Sequence, residues 1–324
     1  MAAGRMEKKM DKVIKKITAA QSAAILPHIN EDADALGSCF AMAAALRAMG
    51  KTAVVYVSDE IEKRLSFMGD DYELYIPGQD HQHDLCICLD CGDIGRLGAR
   101  RGLFERIGQT VNVDHHYSNT CFADENYIEG DASSTGEILY RLLMAMGAEI
   151  TPEIARQLYT AICSDTGCFK YSNTSAKTMR TAAELLELGV DNAEIARLLF
   201  DCESLAAVQL KAEATEHMES FLNGKLRIIT MTEEMCKRYD ISIADAPALV
   251  DIPRMIEGTE IAVCLKEQAD GVRMSFRSNG DWDVSKVAEA MGGGGHRKAA
   301  GCRIEEISLD EIKERVIKEC EYLI

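Results

Sequence analysis

Short apolar runs alternate with longer stretches of helical spacing through the first half of the chain. Ala23–Pro27, Ala53–Val57, Leu85–Leu89 and Thr110–Val113 read as buried strands. Leu36–Met49, Glu60–Phe67 and Ile94–Ile107 lie between them with helical spacing. This alternation predicts an α/β fold, a parallel sheet flanked by helices. From Ser134 the pattern turns helical: Thr135–Met146, Pro152–Cys163, Ala176–Leu188 and Asn192–Leu199, with Pro152 suited to a first helical turn. A charged helical stretch, Leu205–Phe221, leads into a smaller α/β unit. There Leu226–Met231, Ile261–Lys266 and Val272–Arg277 read as strands, followed by helices near Val284–Met291 and Leu309–Tyr322. Two domains are expected, residues 1–204 and 205–324, with the active-site cleft between them.

The length of 324 residues agrees, at roughly 150 residues per domain. With 36 Lys and Arg against 53 Asp and Glu, the net charge is −17, so broad charge neutralisation of nucleic acid is excluded. A polyanionic ligand would need a local device: a metal ion, a helix N-terminus or a small basic cluster. No apolar run approaches the ~20 residues of a membrane span, and the first residues, MAAGRMEKKMDKVIKKI, have no apolar leader segment. Twelve cysteines without paired spacing suggest a reducing, cytoplasmic setting with most thiols in the core. Cys88 and Cys91 form a CxxC, but no second such pair completes a zinc site, and Cys86 and Cys88 lie within an apolar run.

Acidic and histidine residues gather where the expected strands end. The first strand runs into His28, Glu31, Asp32 and Asp34; the third into Asp90 and Asp93; the fourth into Asp114, His115 and His116. The expected helix Ile154–Cys163 ends at Asp165. Ligands of open α/β sheets bind beyond the carboxyl ends of the strands, so these segments should converge. Any one of these aspartates has an ordinary reading as a turn former or cap, and Asp32 or Asp34 is placed to cap the helix near Leu36. Taken together they form a donor set without thiolate, which suits Mn(II), Mg(II) or Fe(II), and it is large enough for two ions. His81 and His83 sit in a polar stretch with no strand leading in and read as loop residues.

Three motifs in order, His28…Asp32-Ala33-Asp34-Ala35-Leu36-Gly37-Ser38, Asp114-His115-His116 and Gly292-Gly293-Gly294-Gly295-His296, resemble the DHH phosphoesterase superfamily. The branch resembled carries a DHH-associated C-terminal domain, and within it the NrnA type, which degrades very short RNA and dephosphorylates 3′-phosphoadenosine 5′-phosphate (pAp). The resemblance covers nearly the whole chain. It implies that His28 and Asp32 hold one divalent ion, Asp34, His115 and Asp165 a second, and that Asp90 bridges them. His116 would face the substrate phosphate as a proton donor, and Asp114 would orient a histidine. Asp93 has no ligand role and reads as a helix cap. Arg277, Ser278, Gly294, Gly295 and His296 would grip the nucleotide and its phosphates, supplying the local basic device. Ser134, at a helix start, is a further candidate for phosphate binding.

The implied chemistry is attack of an activated water on phosphorus with two Mn(II)-like ions. The partners implied are short single-stranded RNA or small nucleotides, and a second copy in a homodimer; no membrane is expected. One departure is Glu31, where the family usually has Pro; a carboxylate near the mouth of the site would repel a polyanionic substrate. Alternatives are a cyclic or linear dinucleotide phosphodiesterase with the same ions (c-di-AMP, pApA), a pyrophosphatase of a related branch, and an inactive nucleotide-binding regulator. The pyrophosphatase branch lacks the GGGGH signature, and the intact ligand set argues against the regulator.

Overall fold

A computed structural model describes residues 2–79, 81–243 and 246–323. The chain divides into two compact units, one ending at Cys202 and one beginning at Glu203.

The first unit contains, in order, α1 Ala2–Ala19, β1 Ser22–Leu26, α2 Ala33–Ala48, β2 Thr52–Val57, β3 Glu73–Leu74, β4 Leu85–Leu89, α3 Arg101–Ile107, β5 Thr110–Asp114, β6 Glu125–Ile128, α4 Thr135–Ala145, α5 Pro152–Asp165, α6 Ala176–Glu187 and α7 Asn192–Phe200. Its strands form one parallel sheet in the order β3-β2-β1-β4-β5-β6. The chain winds outward from β1 in one direction and then restarts at β4 on the other side. The switch point therefore lies between β1 and β4, and ligands of such sheets bind beyond the strand ends there.

Successive side chains of a strand face opposite layers. Ala23 and Ile25 of β1 and Leu85, Ile87 and Leu89 of β4 enter the larger core with α1, α2, α4 and α5. Ala24, Leu26, Cys86 and Cys88 enter a thinner one with Leu97, Leu103 and Phe104. The CxxC thiols are thus packing groups, and burial pushes the Cys91 thiol above its ordinary range.

Expected and observed elements differ where local pattern is weak. The N-terminal helix α1 was not anticipated from its alternating charges; it is held by Val13 and Ile17, one turn apart and both buried. Only a 3₁₀ turn at Lys63–Met68 represents the expected helix Glu60–Phe67. The expected helix Ile94–Ile107 is broken at Gly98, whose φ of 56° leaves a 3₁₀ segment Ile94–Arg100 before α3.

The second unit contains α8 Leu205–Glu216, β7 Glu219–Phe221, β8 Leu226–Met231, α9 Glu233–Arg238, α10 Asp251–Arg254, β9 Ile261–Gln268, β10 Gly271–Ser278, α11 Val284–Ala290, β11 Gly294–His296, β12 Ala299–Glu305 and α12 Leu309–Leu323. Its sheet runs β11-β12-β10-β9-β8-β7, with β8 and β9 parallel and the other neighbours antiparallel. The helix expected to reach Phe221 stops at Glu216, and Glu219–Phe221 instead pair with β8 as an edge strand. The small-residue stretch after Met291 becomes the pair β11–β12.

Candidate metal centre

The ends of β1, β4 and β5, with the starts of α2 and α4 and the end of α5, bring the expected ligands together. Three groups have donor atoms within 4.8 Å of one another: His28, Asp32 and Asp90; Asp34, His115 and Asp165; and Asp90, His115 and His116. Asp90 belongs to two of them. It follows β4 with a φ of 56°, a left-handed conformation that costs energy in a non-glycine residue and is typical of functional sites.

His28 is buried, with Nε2 3.6 Å from Asp32 Oδ2 and 3.5 Å from Asp90 Oδ2. Its Nδ1 lies 2.8 Å from its neighbour's carbonyl, Ile29 O, and 3.0 Å from Arg96 Nη2. Donation to Ile29 and acceptance from Arg96 require different tautomers. The Ile29 bond is the one that leaves the Nε2 lone pair for a cation. Asp32 does two tasks: Oδ1 caps α2 by accepting from Ala35 N at 3.0 Å, and Oδ2 faces His28.

Asp34 is wholly buried and accepts Thr135 N–H on Oδ2 at 2.7 Å and Gly136 N–H on Oδ1 at 2.9 Å. Thr135 Oγ1 donates to Asp90 Oδ1 at 2.9 Å. The start of α4 therefore holds an anion, but that anion is the protein's own carboxylate. Ser134 is buried and its hydroxyl caps α4 by accepting Glu137 N at 3.1 Å. This is the ordinary cap role, and it is compatible with the expected contact of Ser134 with substrate phosphate. Gly136 cannot carry a side chain without intrusion, since a Cβ would stand 2.5 Å from Ala161 Cβ. Beneath this turn the buried Glu137 carboxylate accepts from the Ser133 and Thr178 hydroxyls, both at 2.7 Å.

His115 Nε2 lies 3.3 Å from Asp165, 3.5 Å from Asp90 and 3.9 Å from Asp34. His116 differs: its Nδ1 is hydrogen-bonded to Asp114 Oδ1 at 2.7 Å and lies 3.6 Å from Asp90. Asp114 is buried and also accepts from Asn119 Nδ2 at 2.5 Å. Burial alone would lower the His116 pKa. The hydrogen bond to Asp114 and the charges of Asp90, Asp114 and Asp165 outweigh it and raise the value to about 9.

The carboxylates show the strain of crowding. Burial and then the charges of Asp90 and Asp165 push Asp34 well above its ordinary value. Burial, with repulsion from Asp32 and Asp90, raises Asp165 to about 7 against the pull of the histidines. Asp90 moves down, because its histidine contacts overcome the cost of burial. Two imidazoles and four carboxylates with these mutual shifts fit divalent cations of the hard, oxygen-preferring kind.

In the second unit Arg277 pairs with Ala299 across β10–β12, and His296 pairs with the same Ala299 across β11–β12. Directly opposed residues share a face, so Arg277 and His296 flank a methyl group on one side of the sheet. Ser278 is buried and its hydroxyl donates to Asn279 O. Gly295 is needed for close approach: its φ is 142° and a Cβ would stand 2.6 Å from Ala300 Cα. At Gly294 a Cβ would meet nothing within 4 Å.

A family model described as the DHH family, N-terminal domain, matches residues 22–162, and one described as the DHHA1 domain matches residues 228–321. A bifunctional oligoribonuclease and PAP phosphatase NrnA of Thermus thermophilus is 30% identical over 296 residues, covering 91% of this chain and 87% of the relative. The chain belongs to the DHH family. Among solved structures, an exopolyphosphatase-related protein from Bacteroides fragilis superposes with a TM-score of 0.91 at 25% identity, over 98% of this chain and 96% of that one. RecJ of Thermus thermophilus in complex with Mn2+ shares the fold with a TM-score of 0.56 at 14% identity, over 98% of this chain and 55% of RecJ.

Within this DHH chain, sequence reasoning missed Asn119 and Arg96, whose contacts to Asp114 and His28 join distant segments. Ser133-Ser134-Thr135-Gly136 was legible as an anion-favouring helix start, but not that Thr135 and Gly136 serve Asp90 and Asp34. Asp93 caps the 3₁₀ segment by accepting Gly95 N at 2.7 Å, and His83 Nε2 meets Tyr56 Oη at 3.0 Å. Glu31 is not a loose carboxylate at the mouth of the site. Its side chain is 10% exposed and lies against the buried Arg100.

Proposed function

We propose that the chain is a metal-dependent phosphoesterase that hydrolyses short oligoribonucleotides and pAp. The convergence of His28, Asp32, Asp34, His115 and Asp165 about a strained Asp90 carries this reading, together with the activities named for its relatives. His28 and Asp32 would hold one divalent ion, Asp34, His115 and Asp165 a second, with Asp90 between them. When bound, such ions supply an activated water and neutralise charge developing at phosphorus. Mn(II) is the proposed native metal, supported by the thiolate-free donor set of imidazoles and carboxylates, which Mg(II) or Fe(II) would also suit.

The protein's own groups do the rest. Asp114 fixes His116 through Nδ1, so the proton given to the departing oxygen is the one on Nε2. In the metal-free protein the hydrogen bond to Asp114 and the neighbouring carboxylates favour the protonated ring. Arg277 and His296, with Ser278 and the backbone at Gly294 and Gly295, are proposed to hold nucleotide and phosphates, which divides the labour between the first unit and the second. No helix among the described residues is long and apolar enough to cross a membrane. The twelve free cysteines favour a cytoplasmic location. A homodimer is proposed on family resemblance and is checked by sedimentation.

The test is phosphate or nucleotide release with Mn(II) from pAp, di- to pentaribonucleotides, cyclic di-AMP and pyrophosphate. Turnover of pAp and short RNA is expected. A chain that cleaves only pyrophosphate or cyclic di-AMP, or that binds nucleotide without hydrolysis, refutes the assignment.

A further inference from the structure

Among the described residues, Arg100 is the one lysine or arginine wholly removed from solvent. A buried guanidinium is costly unless its charge is answered. The carboxylate that answers it is Glu31, whose Oε1 lies 3.1 Å from Arg100 Nη1, within ion-pair range although not aligned as a hydrogen bond. Nη1 also donates to the carbonyl of Tyr56 at 2.8 Å, near the end of β2, and Nε to that of Leu97 at 3.3 Å. One side chain thus ties together the loop after β1, the end of β2 and the 3₁₀ segment after β4.

The first and third of these are also joined beside it. Ile29 N–H donates to Arg96 O at 2.8 Å. Gly98, lacking a side chain, admits the Ile29 methyl; a Cβ there would stand 2.8 Å from Ile29 Cγ2. The loop held in this way carries His28 and Asp32, and the segment it is held to follows Asp90 within a few residues. Asn30 in the middle of the loop has a φ of 56°, a left-handed turn that asparagine adopts more readily than most residues.

We propose that Glu31 and Arg100 are positioning residues of the metal centre: the pair sets the spacing between the His28–Asp32 loop and Asp90, and with it the affinity of the cation position those three residues form. Glu31 on this account acts inward, on the ligand loop, and is not a charge that substrate feels. The inference rests on the two-ion reading above and concerns only one of the two positions.

Calorimetric titration of the full chain with Mn(II) tests it, alongside the melting temperature of the metal-free protein and KM for pAp at saturating Mn(II). Glu31→Gln keeps the shape and removes the charge; Arg100→Lys keeps the charge and removes the fork. Glu31→Gln should weaken one of the two Mn(II) sites by roughly ten- to a hundredfold, the usual range for groups that orient ligands. The other site and KM should stay as in wild type. Arg100→Lys should weaken the same site, and Glu31→Gln/Arg100→Met should bind no worse than Glu31→Gln alone. Wild-type Mn(II) affinity in Glu31→Gln overturns the proposal, whatever happens to the melting temperature. So does a lowered KM with unchanged Mn(II) binding, which would make Glu31 a substrate-facing charge. A wild-type protein that takes up no Mn(II) removes the two-ion reading itself.

Discussion

The backbone N–H of Thr135 donates to Asp34 Oδ2 at 2.7 Å, linking residues 101 apart in the chain. With Gly136 N–H on the other oxygen, the positive end of α4 partly neutralises a carboxylate that stands among three others. This is how a fully buried aspartate can be kept near Asp32, Asp90 and Asp165 before any cation arrives. The helix start that looked like a phosphate cradle is thereby already engaged.

Asp90 should be the most damaging ligand to lose, because it belongs to both ion positions in the proposed scheme. Asp90→Ala is expected to abolish turnover and lower bound Mn(II) while leaving the far-ultraviolet circular dichroism unchanged. The fold should survive because relief of carboxylate crowding offsets the lost contacts. Elemental analysis of the purified variant checks the metal content.

Glycine packing separates support from grip. Gly136→Ala puts a methyl 2.5 Å from Ala161 Cβ and forces α4 off α5. We expect a loss of about 1–3 kcal/mol in urea unfolding. Gly294→Ala meets open space and should leave urea unfolding within about 0.5 kcal/mol of wild type, while raising KM for pAp. Equal midpoints for the two variants would contradict the packing argument.

Proton competition gives metal uptake a direction with pH. In the metal-free protein burial lowers the His28 pKa, but its hydrogen bonds to Asp32 and Asp90 and their charges prevail and raise it from 6.5 to about 10. A raised value means that His28 protonation stabilises the metal-free fold fully below about 6.5 and ceases to do so as pH climbs through about 10. A cation must displace that proton. Mn(II) affinity should therefore increase as pH rises from 6.5 towards 10, by about tenfold per pH unit for each proton released. Titrations in buffers of different ionisation enthalpy count those protons, and a pH-independent affinity speaks against His28 as a ligand.

Arg277→Ala should leave Mn(II) content intact and lower kcat/KM for pAp by roughly ten- to a hundredfold, the loss of one charge-assisted contact. A simple phosphate ester has no nucleotide to hold and should be turned over almost as before. Asp34→Ala should depress both substrates together. If Arg277→Ala and His296→Ala impair the small ester as much as pAp, the proposed role of the second unit is wrong.

The chain's own pattern determined the layers and the chemistry. Apolar runs at β1, β2, β4 and β5 specify a buried parallel sheet because only strands covered on both faces tolerate such continuity. Residue type did the same for the site: each histidine or aspartate after a buried strand reads as well as a cap or turn former, and only their recurrence at several strand ends pointed to a cation. Elements with mixed pattern escaped notice. The edge strand β6, Glu125–Ile128, alternates too little to announce itself, and β12 begins in small residues that resemble a turn. Tertiary structure alone decided what each site residue leans on. Asp34 finds Thr135 and Gly136, Glu31 finds Arg100, and Arg277 and His296 meet across Ala299. Each pairing depends on strand register or on helices packing across the core. Such contacts depend on distance through space, which periodicity along the chain does not encode.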